Sequence, residues 1–359
     1  MIVFVHLLND NSGSPRVLTA VIKAIGTSED RLMLGSDGDG PLGRSEVSVT
    51  RYWYRRGSNR IATLFTFAFS QIALYRALNR ADIPQDATLY INTLLPFGAA
   101  LWAKQKGRRV IYHLHEVSVS PASLRHFLIF IARYTAKQLI YVSQDHRVRL
   151  PIPGILATTL PNPVMPAIAK KAEEHRYTPR ASGQFEVLML SSARDFKGVP
   201  EFIALCARFM NSTDLSFVLV LNGDDSEVEK YLSKFTVCAN LTVHSHSATP
   251  ENFYTSADIL LNLSRPDEWI ETFGLTLIEA MTFGVPVIAP PVGGPTEIVR
   301  DGIDGFLING RDTEALDGAI TSLAGNPDLA LKMSQAAESR AADYCWDNFV
   351  TSLTRITAP

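Results

Sequence analysis

Twice along this chain of 359 residues, short β-rich apolar runs alternate with helical stretches, and no other feature restricts the fold as much. In the first half the runs at 1–6, 31–36, 46–54, 87–92, 108–113 and 138–142 predict strands, with helices near 15–25, 60–80, 96–106 and 121–136. The second half predicts strands at 185–191, 215–221, 240–244, 257–263, 285–289 and 304–308. Its helices are expected at 198–210, 226–236, 274–283, 312–324 and 327–343. A parallel strand pair needs a long crossover, so this alternation predicts α/β architecture with two Rossmann-like, doubly wound parallel sheets. The expected domains are 1–165 and 166–345, and a last helix at 346–359 is expected to pack back on the first. Pro151, Pro153, Pro161, Pro163 and Pro166 interrupt periodicity, and 169–183 is largely polar, which places the interdomain linker there. Ligands of such sheets bind at the carboxyl ends of the strands, so two units facing each other would enclose a central cleft.

A composition of 46% hydrophobic and 19% charged residues is that of a globular chain with two cores. Charge is unevenly spread: residues 1–165 hold 19 Lys and Arg against 10 Asp and Glu, and residues 166–359 hold 15 against 26. The basic first half suits an anionic partner, either a membrane surface or a pyrophosphate-linked acceptor. Cys206, Cys238 and Cys345 are widely spaced and odd in number, which predicts neither a disulfide framework nor a zinc site and fits a reducing, cytoplasmic setting. The apolar start reaches Asn9 and Asp10 too soon for a signal peptide, and no run of about 20 uncharged apolar residues predicts a membrane span. Arg51 to Arg56, with Trp53 and two tyrosines, precedes the apolar run 61–69. That combination fits a membrane interface, although apolar residues that nearly encircle a helix are also the pattern of a buried crossover.

The densest chemistry lies at 271–279, Glu-Thr-Phe-Gly-Leu-Thr-Leu-Ile-Glu. A helix is expected from near Gly274 to near Phe283, with Gly284 ending it. The free N–H groups of Gly274, Leu275 and Thr276, with the helix dipole, would hold a phosphate or diphosphate. Glu271 would lie before that site, and Glu279, about 160° around the helix from Met281, would face the ligand. No metal is assigned: Asp37–Asp39 and Asp224–Asp225 read as turns, and His244 with His246 has no third ligand nearby in sequence. Asn92 and Thr93, at a strand end, are candidates for an acceptor contact or a cap.

The Glu271–Glu279 segment resembles the E-x7-E motif of retaining family 4 glycosyltransferases, whose fold, called GT-B, pairs two Rossmann-like domains. Phe196-Lys197-Gly198 resembles that family's Lys-Gly motif, Pro290 to Glu297 its Gly-Gly segment, Asp301-Gly-Ile-Asp-Gly-Phe306 its DGxxG turn, and Asn162 its interdomain Asn. The likeness runs from about 185 to 345 and is weaker in the first half. It implies that Glu279 hydrogen-bonds both ribose hydroxyls and that Glu271 holds the sugar near the anomeric carbon. It also implies that Lys197 and Gly198 meet the diphosphate, with Phe273, Gly274, Leu275 and Thr276 lining the donor site. His115 resembles the active-site His; alternation does not separate it from His113, but His115 is nearer the strand's carboxyl end. Two departures stand out. Where relatives carry Arg five or six residues before the Lys, this chain has Ser192 and Ser191, so Arg194 is the nearest substitute. Where they carry two adjacent glycines after the first strand, only Gly13 is present, followed by Ser14.

The resemblance implies a hexosyltransferase-type enzyme that transfers a sugar from a nucleoside diphosphate donor to a glycan or lipid-linked oligosaccharide. It implies no cofactor and no metal, and the expected setting is bacterial polysaccharide synthesis in the cytoplasm or at the membrane's inner face. A sugar-nucleotide epimerase on the same fold, or a catalytically silent partner protein, are the competing readings. A dinucleotide-dependent dehydrogenase is disfavoured because no G-x-G-x-x-G follows the first strand.

Overall fold

The computed structural model describes residues 1–179, 184–245 and 249–358. The chain divides into two compact units, Met1–Pro163 with Asp347–Pro359, and Val164–Trp346.

In chain order, unit 1 contains β1 (Ile2–His6), α1 (Gly13–Ile25), β2 (Arg31–Gly35), β3 (Ser48–Tyr52), α2 (Arg60–Arg80), β4 (Thr88–Asn92), α3 (Phe97–Gln105), β5 (Val110–Leu114), α4 (Ala122–Thr135), β6 (Gln138–Tyr141), α5 (Gln144–Arg149) and β7 (Leu156–Thr159). Its seven strands, all parallel, are ordered β3-β2-β1-β4-β5-β6-β7. The central strands are unbroken apolar runs because helices cover both faces: Val3, Phe4 and Val5 of β1 and Leu89, Tyr90 and Ile91 of β4 are wholly buried.

Unit 2 contains α6 (Pro166–Glu173), β8 (Phe185–Ser192), α7 (Val199–Arg208), β9 (Leu215–Asn222), α8 (Asp225–Leu232), β10 (Leu241–Ser245), α9 (Glu251–Tyr254), β11 (Ile259–Leu261), α10 (Leu275–Thr282), β12 (Val287–Ala289), α11 (Pro295–Ile298), β13 (Gly305–Leu307), α12 (Thr313–Ala324) and α13 (Pro327–Ala341). Its six parallel strands are ordered β10-β9-β8-β11-β12-β13. The chain closes with α14 (Trp346–Thr357), which buries Phe349, Leu353 and Ile356 at helical spacing. The guanidinium of Arg109 donates to the Thr357 carbonyl at 3.3 Å, to the Ile356 carbonyl at 3.1 Å and to that of Ala358, fixing the negative end of α14 to unit 1.

Three differences from the expected pattern have physical causes. The Pro-punctuated stretch taken as linker contains an edge strand, β7, which pairs with β6 although its Leu-Ala-Thr-Thr is half polar, as an edge tolerates. The polar stretch after it contains α6, started by Pro166 at the first helical position, where its missing N–H costs nothing; residues 180–183 lie outside the described residues. Lastly, α2 is not a fully buried crossover, since Ile61, Phe65 and Phe69 are exposed. It is the one helix among the described residues long and apolar enough, by length and composition, to cross a membrane. Its inner side nonetheless packs in unit 1, with Gln71 accepting the Gly98 N–H at 3.0 Å.

Candidate functional site

The sheet order reverses between β8 and β11, and the loops leaving these two strands touch. Asp195–Lys197 form a 3₁₀ turn, and Gly198, at φ +86°, opens α7. A β-carbon on Gly198 would stand 2.1 Å from the Leu263 carbonyl oxygen, so the loops approach this closely only with glycine there. Lys197 is thereby held against the second loop. Its ammonium donates to Glu271 Oε2 at 2.7 Å and lies 4.7 Å from the centre of the Trp269 ring, on which Phe196 stacks at 5.1 Å. The Lys197 and Glu271 side chains keep 20% and 19% of their surface in solvent, so an anion arriving from solvent meets the ammonium directly.

The Glu271 loop is braced by the Gly-Gly segment. Gly294 N–H donates to the Glu271 carbonyl at 2.8 Å. β-Carbons on Gly293 and Gly294 would lie 2.4 and 2.3 Å from the carbonyl oxygens of Glu271 and Thr272. Gly274, at φ +120°, turns the chain into α10, whose first bonds run from Leu277 and Ile278 N–H back to the Gly274 carbonyl. The N–H groups of Leu275 and Thr276 precede those bonds, at the positive end of the helix. Phe273 is buried edge-on against Tyr344 at 5.7 Å, so its side chain anchors the loop and only its backbone is available to a ligand.

Glu279 departs from expectation. Leu277 to Met281 are all buried, so α10 has no open face opposite Met281, and the Glu279 carboxylate is 1% exposed. A buried carboxylate needs partners, and Tyr254, at the end of α9, donates its hydroxyl to Glu279 Oε2 at 2.8 Å. Arg194 is exposed and folds back on its own chain, donating to the Ala193 carbonyl at 3.1 Å, rather than reaching the Lys197–Glu271 pair. Asp224 caps α8 by accepting Glu227 N–H at 2.8 Å; His246 lies outside the described residues.

In unit 1 the order reverses between β1 and β4, and Asn92, at the end of β4, organises the crevice. Its amide nitrogen donates to the Ser14 carbonyl at 3.0 Å and to His6 Nδ1 at 3.1 Å, while its oxygen accepts His115 Nε2–H at 2.9 Å. The next residue, Thr93, adopts φ +76°, the only positive φ outside glycine among the described residues. His113 is wholly buried with Tyr90 Oη at 2.8 Å from Nδ1, whereas His115, past the strand end, is half-buried. The two rings lie 4.4 Å apart.

Burial holds all four imidazoles of this unit's core uncharged: His6 and His146 are lowered to about 4, and His113 to about 3. His115 falls well below its ordinary value through burial and then through His113, His146 and His6. Burial raises Glu116, which accepts N–H groups of Leu94 and His115 at 3.2 Å each.

Asn92 as the bridge, Tyr254 as the partner of Glu279, and Trp269 beside Lys197 were not identified from sequence as parts of one arrangement. Each depends on chain separations of 25 residues or more for the Tyr254 and Lys197 contacts and 23 or more for the Asn92 contacts to histidine, which no local spacing encodes.

HepE of Anabaena, solved with UDP-glucose, superposes with a TM-score of 0.77 at 19% identity, covering 99% of this chain and 98% of that one. Sucrose-phosphate synthase of Thermosynechococcus elongatus gives a TM-score of 0.75 at 15% identity, covering 99% and 97%. Two parallel-sheet units with these likenesses define the GT-B glycosyltransferase fold. Residues 170–340 match the family described as glycosyl transferases group 1.

Among curated relatives, D-inositol 3-phosphate glycosyltransferase of Acidothermus cellulolyticus is 28% identical over 267 residues, 69% of this chain and 55% of that protein. Its counterpart in Streptomyces griseus subsp. griseus is 38% identical over 96 residues, so the match covers 27% of this chain and only 20% of the relative's length. The group 1 glycosyl transferase match thus lies in unit 2, and the chain as a whole shares the GT-B fold.

Proposed function

We propose that this chain is a retaining, metal-independent glycosyltransferase that moves a sugar from a nucleoside diphosphate to a hydroxyl of a glycan or lipid-linked oligosaccharide, in bacterial polysaccharide synthesis. The observation that carries the reading is the half-open Lys197–Glu271 pair beside the amino end of α10, with Glu279 buried in the same helix. A diphosphate placed on the Leu275 and Thr276 N–H groups would draw the Lys197 ammonium to itself and release Glu271 to the sugar hydroxyls. Glu279 would exchange or share its Tyr254 bond to accept both ribose hydroxyls.

In the transfer, the bond from the anomeric carbon to the diphosphate oxygen breaks while the acceptor oxygen bonds the same face. The acceptor's proton passes to the departing phosphate oxygen, leaving the nucleoside diphosphate. Lys197 and the helix end stabilise the charge growing on that oxygen. His115, uncharged through burial, serves as a hydrogen-bonding group rather than a general acid. HepE was solved with UDP and with UDP-glucose, which favours a uridine diphosphate donor here.

The test is a thermal-shift series with uridine, guanosine and thymidine diphosphates, followed by product analysis with the matching sugars. One diphosphate should stabilise the protein, and free nucleotide should accumulate with acceptor present, with the donor's anomeric configuration kept. Conversion of the donor's sugar with no acceptor would replace the reading by an epimerase. Failure to bind any diphosphate would leave a silent relative.

A further inference from the structure

The outer side of unit 1 exposes large apolar side chains. Toward the sheet, α2 buries Phe67, Leu74 and Leu78 but also Ser70 and Gln71. Toward solvent it turns Ile61 (71% exposed), Leu64, Phe65 (64%), Phe69 (60%) and Ile72. These five positions recur at three- and four-residue intervals and form one stripe along the helix. On α4, Phe127, Phe130 (62% exposed) and Tyr134 make a second stripe, with the last two rings stacked at 6.4 Å. α3 lies between, its Phe97 ring 5.8 Å from Phe67 on the inner side of α2 and 5.1 Å from Phe127 on α4, so the three helices form one layer that carries both stripes. An apolar face of this extent does not stay in water without a partner.

The charge around it identifies the partner. From residue 47 to 144 there are 13 Lys and Arg and only three acidic residues, Asp82, Asp86 and Glu116. Glu116 is engaged with backbone N–H groups, and Asp82 and Asp86 follow the end of α2. Exposed Arg51, Arg55, Arg56 and Arg60 flank one end of the α2 stripe with half-exposed Trp53, and Arg76 and Arg80 flank the other. Lys104 and Arg133 border the α4 stripe, the Lys104 ammonium lying 5.1 Å over the Tyr134 ring.

Aromatic and aliphatic side chains bordered by a large excess of cations, with Asp37 accepting the Arg56 N–H at 2.7 Å at one edge, match the interfacial zone of an anionic bilayer. We propose that this α2–α4 face docks unit 1 on an anionic lipid surface. The helix lies in the headgroup plane and does not cross, because crossing would strip the Gly98 N–H to Gln71 bond that ties it to α3 and the packing of Phe67, Leu74 and Leu78 in unit 1. This inference goes beyond the transferase reading and stands or falls separately from it.

The test is co-sedimentation of the full chain with phosphatidylcholine vesicles and with mixed phosphatidylcholine–phosphatidylglycerol vesicles. Binding should be strong to the mixed vesicles, weak to the neutral ones, and reduced by salt. The triple variant Phe65→Ser, Phe69→Ser, Phe130→Ser should lose on the order of a hundredfold in partitioning. The pair Arg56→Glu, Arg60→Glu, which leaves the apolar stripes untouched, should lose about tenfold or more. Equal binding to both vesicle types, or none, overturns the proposal. So does a vesicle-free dimer that the triple variant converts to monomer, since a second copy would then cover the face.

Discussion

The two units each bring polar groups to the point where their sheet order reverses, and they hold them by opposite means. Unit 2 uses charge: Lys197 and Glu271 pair in partial solvent, and glycines at 198, 293 and 294 bring the loops within contact. Unit 1 uses neutrality: Asn92 saturates its amide on Ser14, His6 and His115, and burial keeps the imidazoles unprotonated. The difference teaches which group can respond to a ligand. An exposed ion pair is worth little in stability and is readily re-partnered, whereas a saturated buried network is costly to disturb and so fixes geometry.

The sharpest way to break this contrast is at the charged end. Glu271→Ala should lower turnover by about a hundredfold to a thousandfold with little loss of stability. Glu279→Ala should instead weaken nucleotide binding, because it removes the carboxylate proposed to accept the ribose hydroxyls; initial rates and calorimetry separate the two. If both variants transfer sugar at the parent rate, the division of roles is wrong.

Gly198→Ala comes next, costing about 3 kcal/mol or more in urea denaturation, since it combines a left-handed φ with a 2.1 Å approach to the Leu263 carbonyl. An unchanged urea midpoint would mean that the loops move apart freely.

The neutral end predicts a pH effect. His6, His113 and His146 have folded values below the ordinary 6.5, at about 4, 3 and 4. Below pH 6.5 the unfolded chain therefore binds protons that the folded chain refuses. Stability should fall as pH drops from 6.5 toward 4, by up to about 2 kcal/mol per histidine at pH 5. Glu116, raised by burial, works in the other direction but is one group against several. Urea midpoints at pH 7.5 and 5 measure the balance, and a flat profile would mean that these rings charge without unfolding. The smallest effect is Asn92→Ala, about 1–2 kcal/mol by the same denaturation, with a change in the His115 ring resonances that a remote loss of stability would not produce.

Most of the fold was legible in the sequence because strands buried on both faces leave unbroken apolar runs, and the helices between them keep a 3.6-residue period. What escaped lacked those signals: β7 is a half-polar edge, α9 and α11 are single turns, and α6 is short and polar. At the candidate site, the glycines and the Glu271–Glu279 spacing were visible because they are local. The depth of Glu279 was not, because helical angle alone says which way a side chain points and nothing about whether another element, here Tyr254, closes over it. The reach of Lys197 to Glu271 depends on two crossovers meeting at the sheet reversal, and the stripe on α2 was ambiguous until Ile61, Phe65 and Phe69 proved to be exposed.

Unit 1 is assembled from both ends of the chain, with unit 2 inserted between Pro163 and Asp347. A ribosome delivers α14 only after the whole of unit 2, so the sheet of unit 1 waits through the making of another domain before Arg109 can clasp the carbonyls of that helix. Of the two units, the one with the apolar, basic outer face is thus completed after the other.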